Sequence, residues 1–101
     1  MGYWESESPD ATDFWISPEL AAFYEFETAD GFISIAKVRN AYLPESRTIL
    51  ETHYAACWSG GQSYAVQTKL RRADGSLLDC MVQGEPEFDA QGRVRRVSGI
   101  V

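Results

Sequence analysis

The residue types best suited to catalysis are scarce in this sequence of 101 residues, which contains one histidine and two cysteines. Because 23 positions separate Cys57 from Cys80, their spacing fits neither a C-x-x-C redox pair nor a zinc knuckle. His53 has no carboxylate at a sequence spacing that would orient it as a general base. If the fold brought a carboxylate to it, the candidates would be Asp13 and Glu51. One hypothesis is a small cone-shaped α+β enzyme that uses such an acid/base pair. This hypothesis requires charged side chains at the floor of a cavity. The inward positions of the predicted strands are apolar instead, which argues against it.

Other catalytic and cofactor motifs are missing from the sequence. It has no P-loop and no glycine-rich dinucleotide turn, and its acidic residues are scattered rather than paired in apolar surroundings. Both cysteines are expected to be small buried hydrophobic groups in a reducing compartment. The sequence shows neither a secretory signal pattern nor an apolar run of about 18 residues. We therefore expect a non-catalytic cytoplasmic domain with no membrane partner and no bound metal.

Charge is distributed unevenly along the chain, whose net charge is −6. The first 36 residues contain eight acidic side chains and no Lys or Arg, whereas the remainder contains nine basic and seven acidic side chains. The acidic total disfavours a nucleic-acid partner, which usually needs a basic face. Arg93, Arg95 and Arg96 cluster near the end. The pattern fits a solvated acidic surface, or a last strand that lies beside the acidic N-terminal strands, in one sheet or across a dimer.

The first 60 residues contain signals for two strands and three helices. Short strands are predicted over residues 2–7 and 12–17. A helix starts at Ser17-Pro18-Glu19-Leu20, because Ser caps free amides, Pro suits the first position and Glu complements the positive end of the dipole. Further helical stretches are predicted over Ile33–Ala41 and Pro44–Ser59, and two glycines end the last one. Its apolar stripe is predicted to include Ile49 and His53.

Three strands in a meander are predicted for the rest of the chain, over Gln62–Arg72, Ser76–Phe88 and Arg93–Val101. Apolar and polar residues alternate along the first of these, as in a half-buried strand. Asp74-Gly75 is a strong hairpin signal, and Pro86 predicts an irregular or edge point in the middle strand. Two strands, a helical segment and three strands indicate an α+β fold, with helices on one face of an antiparallel sheet.

Five segments resemble one family in their order along the chain. They are Gly2–Glu5 (G-Y-W-E), Trp15–Leu20 (W-I-S-P-E-L), Leu43–Arg47 (L-P-E-S-R), Tyr64–Gly75 and the G-E-P-E-F-D-A-Q-G-R-V segment that starts at Gly84. Together they resemble the bacterial PAS sensor domains. The resemblance implies a PAS-like five-stranded antiparallel sheet in the order 2-1-5-4-3, with helices on one face.

The family resemblance also suggests the setting of the domain. Residues 1–101 form one PAS domain in this interpretation, and they stop before the Asp-x-Thr that commonly leads into an output linker. We therefore expect a domain excised from a larger signalling protein, with a covalently linked histidine kinase or GGDEF-type diguanylate cyclase as the output.

The sequence departs from the family pattern at several positions. Leu43 and Ser46 replace His and Asp, which weakens the expected capping at the entry of the third helix. Gln67 replaces a frequent Glu. Asp79 stands where Trp is common, so the outer face of the sheet is expected to be solvated or to pair this carboxylate with an Arg.

An internal pocket is expected where the inner strand positions face the helices. The predicted ligand-binding residues are Phe23, Val38, Ile49, His53, Cys57, Tyr64, Val66, Thr68, Leu70, Leu78, Cys80 and Val82. Haem is not expected, because the ligating His of haem-binding relatives would fall near Thr48–Ile49. Covalent flavin is not expected either, since the N-C-R motif is absent around both cysteines. The cofactor, if any, is unknown.

Two further hypotheses follow from the family resemblance. In the first, a small-molecule ligand shifts the equilibrium between two arrangements of sheet and helices. In the second, the domain is a ligand-free homodimerisation and relay module that uses Leu77, Met81 and the Arg-rich last strand on the outer face. In both, the signal leaves through the last strand.

Overall fold

A computed structural model describes residues 2–28 and 30–101. This part of the chain contains six strands and three helices. Their bounds are β1 Tyr3–Ser6, β2 Asp13–Ile16, α1 Pro18–Tyr24, β3 Phe32–Ser34, α2 Ile35–Ala41, α3 Pro44–Gly60, β4 Tyr64–Arg71, β5 Leu77–Phe88 and β6 Val94–Ile100. Among the described residues, no helix is long and apolar enough to cross a membrane.

The strands form one antiparallel sheet in the order β3-β2-β1-β6-β5-β4. Without β3, this is the predicted order 2-1-5-4-3, so the expected α+β fold is confirmed with one additional edge strand. The helix predicted to begin at Ile33 begins two residues later, at Ile35. Ile33 pairs instead with Phe14 of β2 and is buried. This strand pairing outweighs the local preference for a helix.

The start of α1 and the end of α3 are capped as the sequence predicts, whereas α1 ends at Tyr24, before the break predicted at Asp30-Gly31. The Ser17 hydroxyl oxygen accepts a hydrogen bond from the Leu20 amide at 3.3 Å and another from the Tyr3 amide at 3.0 Å. One side chain thus starts α1 and fastens it to β1. Gly61 adopts a left-handed conformation with φ of 67° after α3, and its amide donates to the Cys57 carbonyl at 3.0 Å. Glycine adopts this conformation without steric cost.

The start of α3 is anchored by contacts to other elements. Leu43 provides no side-chain cap, which confirms the expected loss of capping there. The buried Ser46 hydroxyl accepts a hydrogen bond from the Lys69 amide of β4 at 2.8 Å. The Arg47 guanidinium donates to two carbonyl oxygens at the end of α2, at 3.2 and 3.1 Å. Both contacts fix α3 relative to its neighbours.

Pro86 lies inside β5 at a point where the strand is paired on one side only, with Val97 of β6. The pairing of β4 with β5 ends at Tyr64 and Gly84, so β5 has no β4 partner at Pro86. The register between β5 and β6 shifts just beyond it, between Glu87 and Phe88. The predicted irregularity in this strand is therefore confirmed.

Charge links β6 to both neighbouring strands on the outer face of the sheet. The Arg96 guanidinium lies 3.8 Å from the Glu5 carboxylate, 3.2 Å from Glu7 and 3.6 Å from Glu87. Arg95 also lies 2.7 Å from Glu87. The terminal strand therefore lies beside an acidic N-terminal strand in one sheet, which is one of the two arrangements that fit the charge distribution. Such partly exposed pairs contribute little energy individually and more as a network.

Acidification is expected to destabilise the fold through carboxylates at the β-turns and the end of β5. Hydrogen bonds from Ser76 lower the pKa of Asp74, one from Arg95 lowers the pKa of Glu87, and backbone amides lower that of Asp89. A carboxylate with a lowered folded-state pKa stabilises the fold above its ordinary pKa, here 3.8 for Asp and 4.5 for Glu. That contribution is lost as the pH falls through the folded-state pKa.

The urea midpoint of unfolding, followed by tryptophan fluorescence, should therefore fall from about pH 5 downward. The variant Asp89→Asn should show a shallower decline, since this position no longer titrates. A midpoint that stays constant down to about pH 3 would contradict this assignment.

A small apolar cavity as the candidate functional site

A cavity of about 70 Å³ lies between the helices and the inner face of the sheet. It is concentrated over β1 and β2 rather than over β4. Apolar and aromatic side chains form most of its wall, and two charged side chains complete it. The lining residues are Trp4, Phe14, Ile16, Leu20, Tyr24, Ile35, Val38, Arg39, Tyr42, Leu50, Glu51, Tyr54, Tyr64, Val82 and Val101.

One row of residues across the sheet brings Tyr64 to this cavity from a distant strand. The row runs from Tyr64 of β4 through Gly84, Gly99 and Trp4 to Ile16 of β2. A Cβ atom on Gly84 would lie 2.4 Å from Tyr64 Cε1 and 2.7 Å from its hydroxyl oxygen. The Tyr64 ring therefore lies directly over β5, and only glycine at position 84 leaves room for it.

Polar atoms at the cavity wall are largely paired with one another. The Tyr24 and Tyr42 hydroxyls lie 2.7 Å apart in buried surroundings. The Tyr54 hydroxyl lies 2.6 Å from that of Ser6, which donates to a carbonyl oxygen in the next turn. Since Ser6 has a single hydroxyl proton, Tyr54 is the donor in this pair. Burial raises the pKa values of Tyr24 and Tyr42, so both phenols stay neutral.

An ion pair lies at the mouth of the cavity and joins α2 to α3. Arg39 Nε is 3.1 Å from a carboxylate oxygen of Glu51, and the two side chains are 41% and 47% exposed. Both also line the cavity. A pair this exposed contributes less than about 1 kcal/mol, so it can open at small cost.

Three of the predicted ligand-binding residues line this cavity: Val38, Tyr64 and Val82. The others lie elsewhere. Three of them are buried in the core: Cys57, Thr68 and Leu70. Four more are partly buried and pack against the core: Phe23, Val66, Leu78 and Cys80. Ile49 and His53 are exposed. A ligand-binding role for any of the twelve stays a prediction.

The positions of Ile49 and His53 correct the apolar stripe predicted for α3. Its inward stripe passes through Ser46, Leu50, Tyr54 and Cys57, at spacings of three and four residues. Positions one residue before this stripe are rotated by about 100° around the helix axis. His53 is exposed and lies beside Tyr64, with ring centroids 5.7 Å apart and the ring planes tilted by 36°.

Most of the cavity wall comes from residues that the sequence prediction did not include. The strands contribute Trp4, Phe14 and Ile16, and the helices contribute Leu20, Tyr24, Tyr42 and Tyr54, among others. A signal for part of this set exists in the sequence. The alternation of the first two strands points Trp4 and Ile16 inward, and α1 follows directly after them.

Neither cysteine lines the cavity. Cys57 is fully buried at the end of α3, and Cys80 lies 3.2 Å from the Thr68 hydroxyl. Burial raises the pKa of both thiols, which keeps them protonated. These positions do not fit a flavin attached to cysteine inside the cavity. Across residues 2–28 and 30–101, no group of three or more His, Cys, Asp or Glu side chains is arranged to hold a metal ion.

Structural comparison identifies similar domains. An RNA-binding Light-Oxygen-Voltage receptor is 26% identical, with a TM-score of 0.83 over 97% of this chain and 27% of that chain. This chain therefore spans about a quarter of that receptor's length. A domain of a putative light and redox sensing histidine kinase from Haloarcula marismortui is 21% identical, with a TM-score of 0.77 over 97% of this chain and 84% of that chain.

The N-terminal domain of a diguanylate cyclase with a PAS/PAC sensor from Marinobacter aquaeolei shares the fold as well. It is 15% identical, with a TM-score of 0.80 over 97% of this chain and 89% of that chain. No curated protein matches the sequence significantly. The sequence profile of the PAS fold family matches residues 2–101. With this sheet order and this match over nearly its whole length, the chain belongs to the PAS fold family of sensory domains.

Proposed function

We propose that this domain is the sensory input unit of a larger signalling protein, and that a small molecule binds in its internal cavity. The observation that supports the proposal best is the cavity itself. It is apolar, it lies where all three helices meet the sheet, and a weak ion pair lies at its mouth. A ligand there would change how the helices pack on the sheet, and so shift the equilibrium between two arrangements.

Strand β6 is the proposed exit for the signal. Val101, which follows β6 directly, lines the cavity. On the opposite face of the sheet, Arg96 connects β6 to carboxylates of β1, the following turn and β5. A change in helix packing would therefore reach a strand that is tied to both neighbours. The names of similar structures support a histidine kinase or diguanylate cyclase as the covalently linked output.

The proposed setting is the cytoplasm. Cys57 and Cys80 are both free thiols. Free thiols are typical of reducing compartments.

The ligand-binding proposal can be tested with xenon, a probe that enters small apolar cavities. In xenon-pressurised NMR, the methyl resonances of Leu20, Val38 and Val82 should shift saturably. Those of Leu77, which is exposed on the outer face, should not. Val82→Phe fills part of the cavity and should remove the saturable shifts. Wild-type spectra without saturable shifts would reject the proposal.

A ligand-free dimerisation module is the second candidate. Leu77 and Met81 are exposed on the outer face of β5, with 49% and 41% of their surfaces accessible, which favours a partner on this face. Asp79 between them pairs with Lys69 at 3.6 Å rather than with an Arg, and both are well exposed. Sedimentation of the same NMR samples separates the candidates. A dimer without a xenon site would support the second one.

A further inference from the structure

Four tyrosine hydroxyls surround the cavity, and they are not equivalent. Tyr24 is paired with Tyr42, and Tyr54 donates to Ser6. Within the part of the chain that the structure describes, the Tyr64 hydroxyl has no hydrogen-bond partner. Polar groups in such surroundings are usually hydrogen-bonded, so the Tyr64 hydroxyl is the one with spare capacity for a ligand.

Tyr64 lines the cavity, where its phenol can act as a hydrogen-bond donor. Its ring reaches over Gly84, and its oxygen lies above β5. Burial raises the pKa of the Tyr64 phenol, so its proton is retained. The indole nitrogen of Trp4 also lacks a partner in the described residues, but surrounding atoms cover it completely. Tyr64 is only partly buried and lines the cavity.

Charge at the cavity argues against an ionic ligand. The two charged lining residues, Arg39 and Glu51, already neutralise each other at the mouth. A carboxylate ligand would have to displace Glu51 from Arg39. An ion placed deeper would meet only apolar groups and neutral phenols, where burial of a charge is costly.

The volume restricts the size of the ligand. A single water molecule requires a cavity volume of about 10–15 Å³. A cavity of about 70 Å³ therefore has room for roughly five water-sized groups, or five non-hydrogen atoms. An engineered apolar cavity that binds benzene has about 150 Å³, roughly twice as much. The cavity is therefore too small for an aromatic ring unless it expands.

We propose that the cavity selects small uncharged compounds that carry a hydrogen-bond acceptor, such as short-chain ketones and aldehydes, and that the Tyr64 hydroxyl donates a hydrogen bond to their oxygen. This inference rests on the proposed ligand-binding function and specifies its ligand class. The apolar wall accommodates the alkyl groups, and Tyr64 distinguishes the carbonyl from a hydrocarbon of the same shape.

Butanone and 2-methyl-1-butene test this selectivity, because they have the same heavy-atom shape and differ in the oxygen. Both probes are titrated into the wild type by NMR, with xenon as a reference for the cavity itself. Butanone should bind about three- to tenfold more tightly than the alkene, the contribution of one net hydrogen bond.

Two tyrosine variants assign the selectivity to one hydroxyl. Tyr64→Phe should retain xenon and bind the alkene more tightly than butanone, because the carbonyl then leaves water without gaining a hydrogen bond. Tyr3→Phe is the control, because this residue does not line the cavity and its hydroxyl donates to Glu5 on the outer face of the sheet. It should keep the preference for butanone. The ratio of the two affinities is read within each variant, so a change in fold stability does not alter the comparison.

The possible failures are distinguishable. A preference for butanone that survives in Tyr64→Phe would overturn the assignment to Tyr64, and tighter binding of butyrate than of butanone would overturn the uncharged class. Xenon binding with no preference for butanone would reject this inference alone. Absence of all binding, xenon included, would reject the proposed function and this inference with it.

Discussion

Replacing Gly84 with alanine is expected to lower the free energy of unfolding by about 1–3 kcal/mol, the usual cost of overpacking. The added Cβ would lie 2.4 Å from Cε1, 2.5 Å from Cζ and 2.7 Å from the hydroxyl oxygen of Tyr64. Real contacts are never this short, so the Tyr64 ring must move. The His53 ring lies 5.7 Å from the Tyr64 ring, which limits where the Tyr64 ring can go.

The same substitution should also reduce the preference for butanone over 2-methyl-1-butene, because the Tyr64 hydroxyl leaves its position at the cavity. Urea unfolding followed by tryptophan fluorescence measures the stability, and NMR titration measures the preference. The two readouts together separate a local displacement of Tyr64 from a general loss of structure.

Gly60→Ala is the matched control for this experiment. Gly60 is the last residue of α3, and an added Cβ would meet nothing closer than 3.8 Å. Alanine there restricts the unfolded chain and should stabilise the protein by about 0.4–1 kcal/mol. If both alanine variants change stability by the same amount and sign, the close approach of Tyr64 to Gly84 is not present in solution.

The sheet was largely predictable because its signals are local. Alternation along β4 and β5, and the turns at Asp74-Gly75 and Asp89–Gly92, depend on neighbouring residues only. The helix start at Ser17 is equally local. Strand β3 was missed because its evidence is the pairing of Ile33 with Phe14, two residues that are far apart in the sequence. The helical pattern of the next residues, Ile35–Ala41, led to the prediction that the helix begins at Ile33.

The cavity was less predictable than the sheet for two physical reasons. First, a strand pattern shows which side chains point inward but not which of them leave a space. Leu70 and Cys57 point inward and are simply packed in the core. Second, a one-residue error in the helical stripe moves a side chain by about 100°, which is why His53 lies outside.

Tyr64 is one of three predicted residues that do line the cavity, although it was not selected for the right reason. It was selected by alternation in β4, whereas the cavity lies mainly over β1 and β2. Its ring reaches that region because Gly84 and Gly99 follow it across the sheet. The absence of side chains at two paired positions is visible only after the register is known.

Removing one hydroxyl of the Tyr24–Tyr42 pair is expected to be the other strongly destabilising change. In Tyr42→Phe, the Tyr24 hydroxyl stays buried and loses its partner at 2.7 Å. An unsatisfied buried hydroxyl costs about 1–3 kcal/mol. Tyr24→Phe should cost less, because the Tyr42 hydroxyl keeps the Cys80 thiol as a hydrogen-bonding neighbour. Urea unfolding of each variant gives the free energies.

The double variant Tyr24→Phe/Tyr42→Phe should be more stable than the sum of the single effects predicts, because no hydroxyl is then left without a partner. Replacing both partners with apolar groups of the same shape is often nearly neutral. The difference between the double effect and the sum measures the coupling of the pair. Strict additivity would mean that each hydroxyl has its own partner in solution, such as a water in the cavity. The two phenols would then be available to a ligand, and the Tyr64 hydroxyl would no longer be distinguished from the other hydroxyls at the cavity wall.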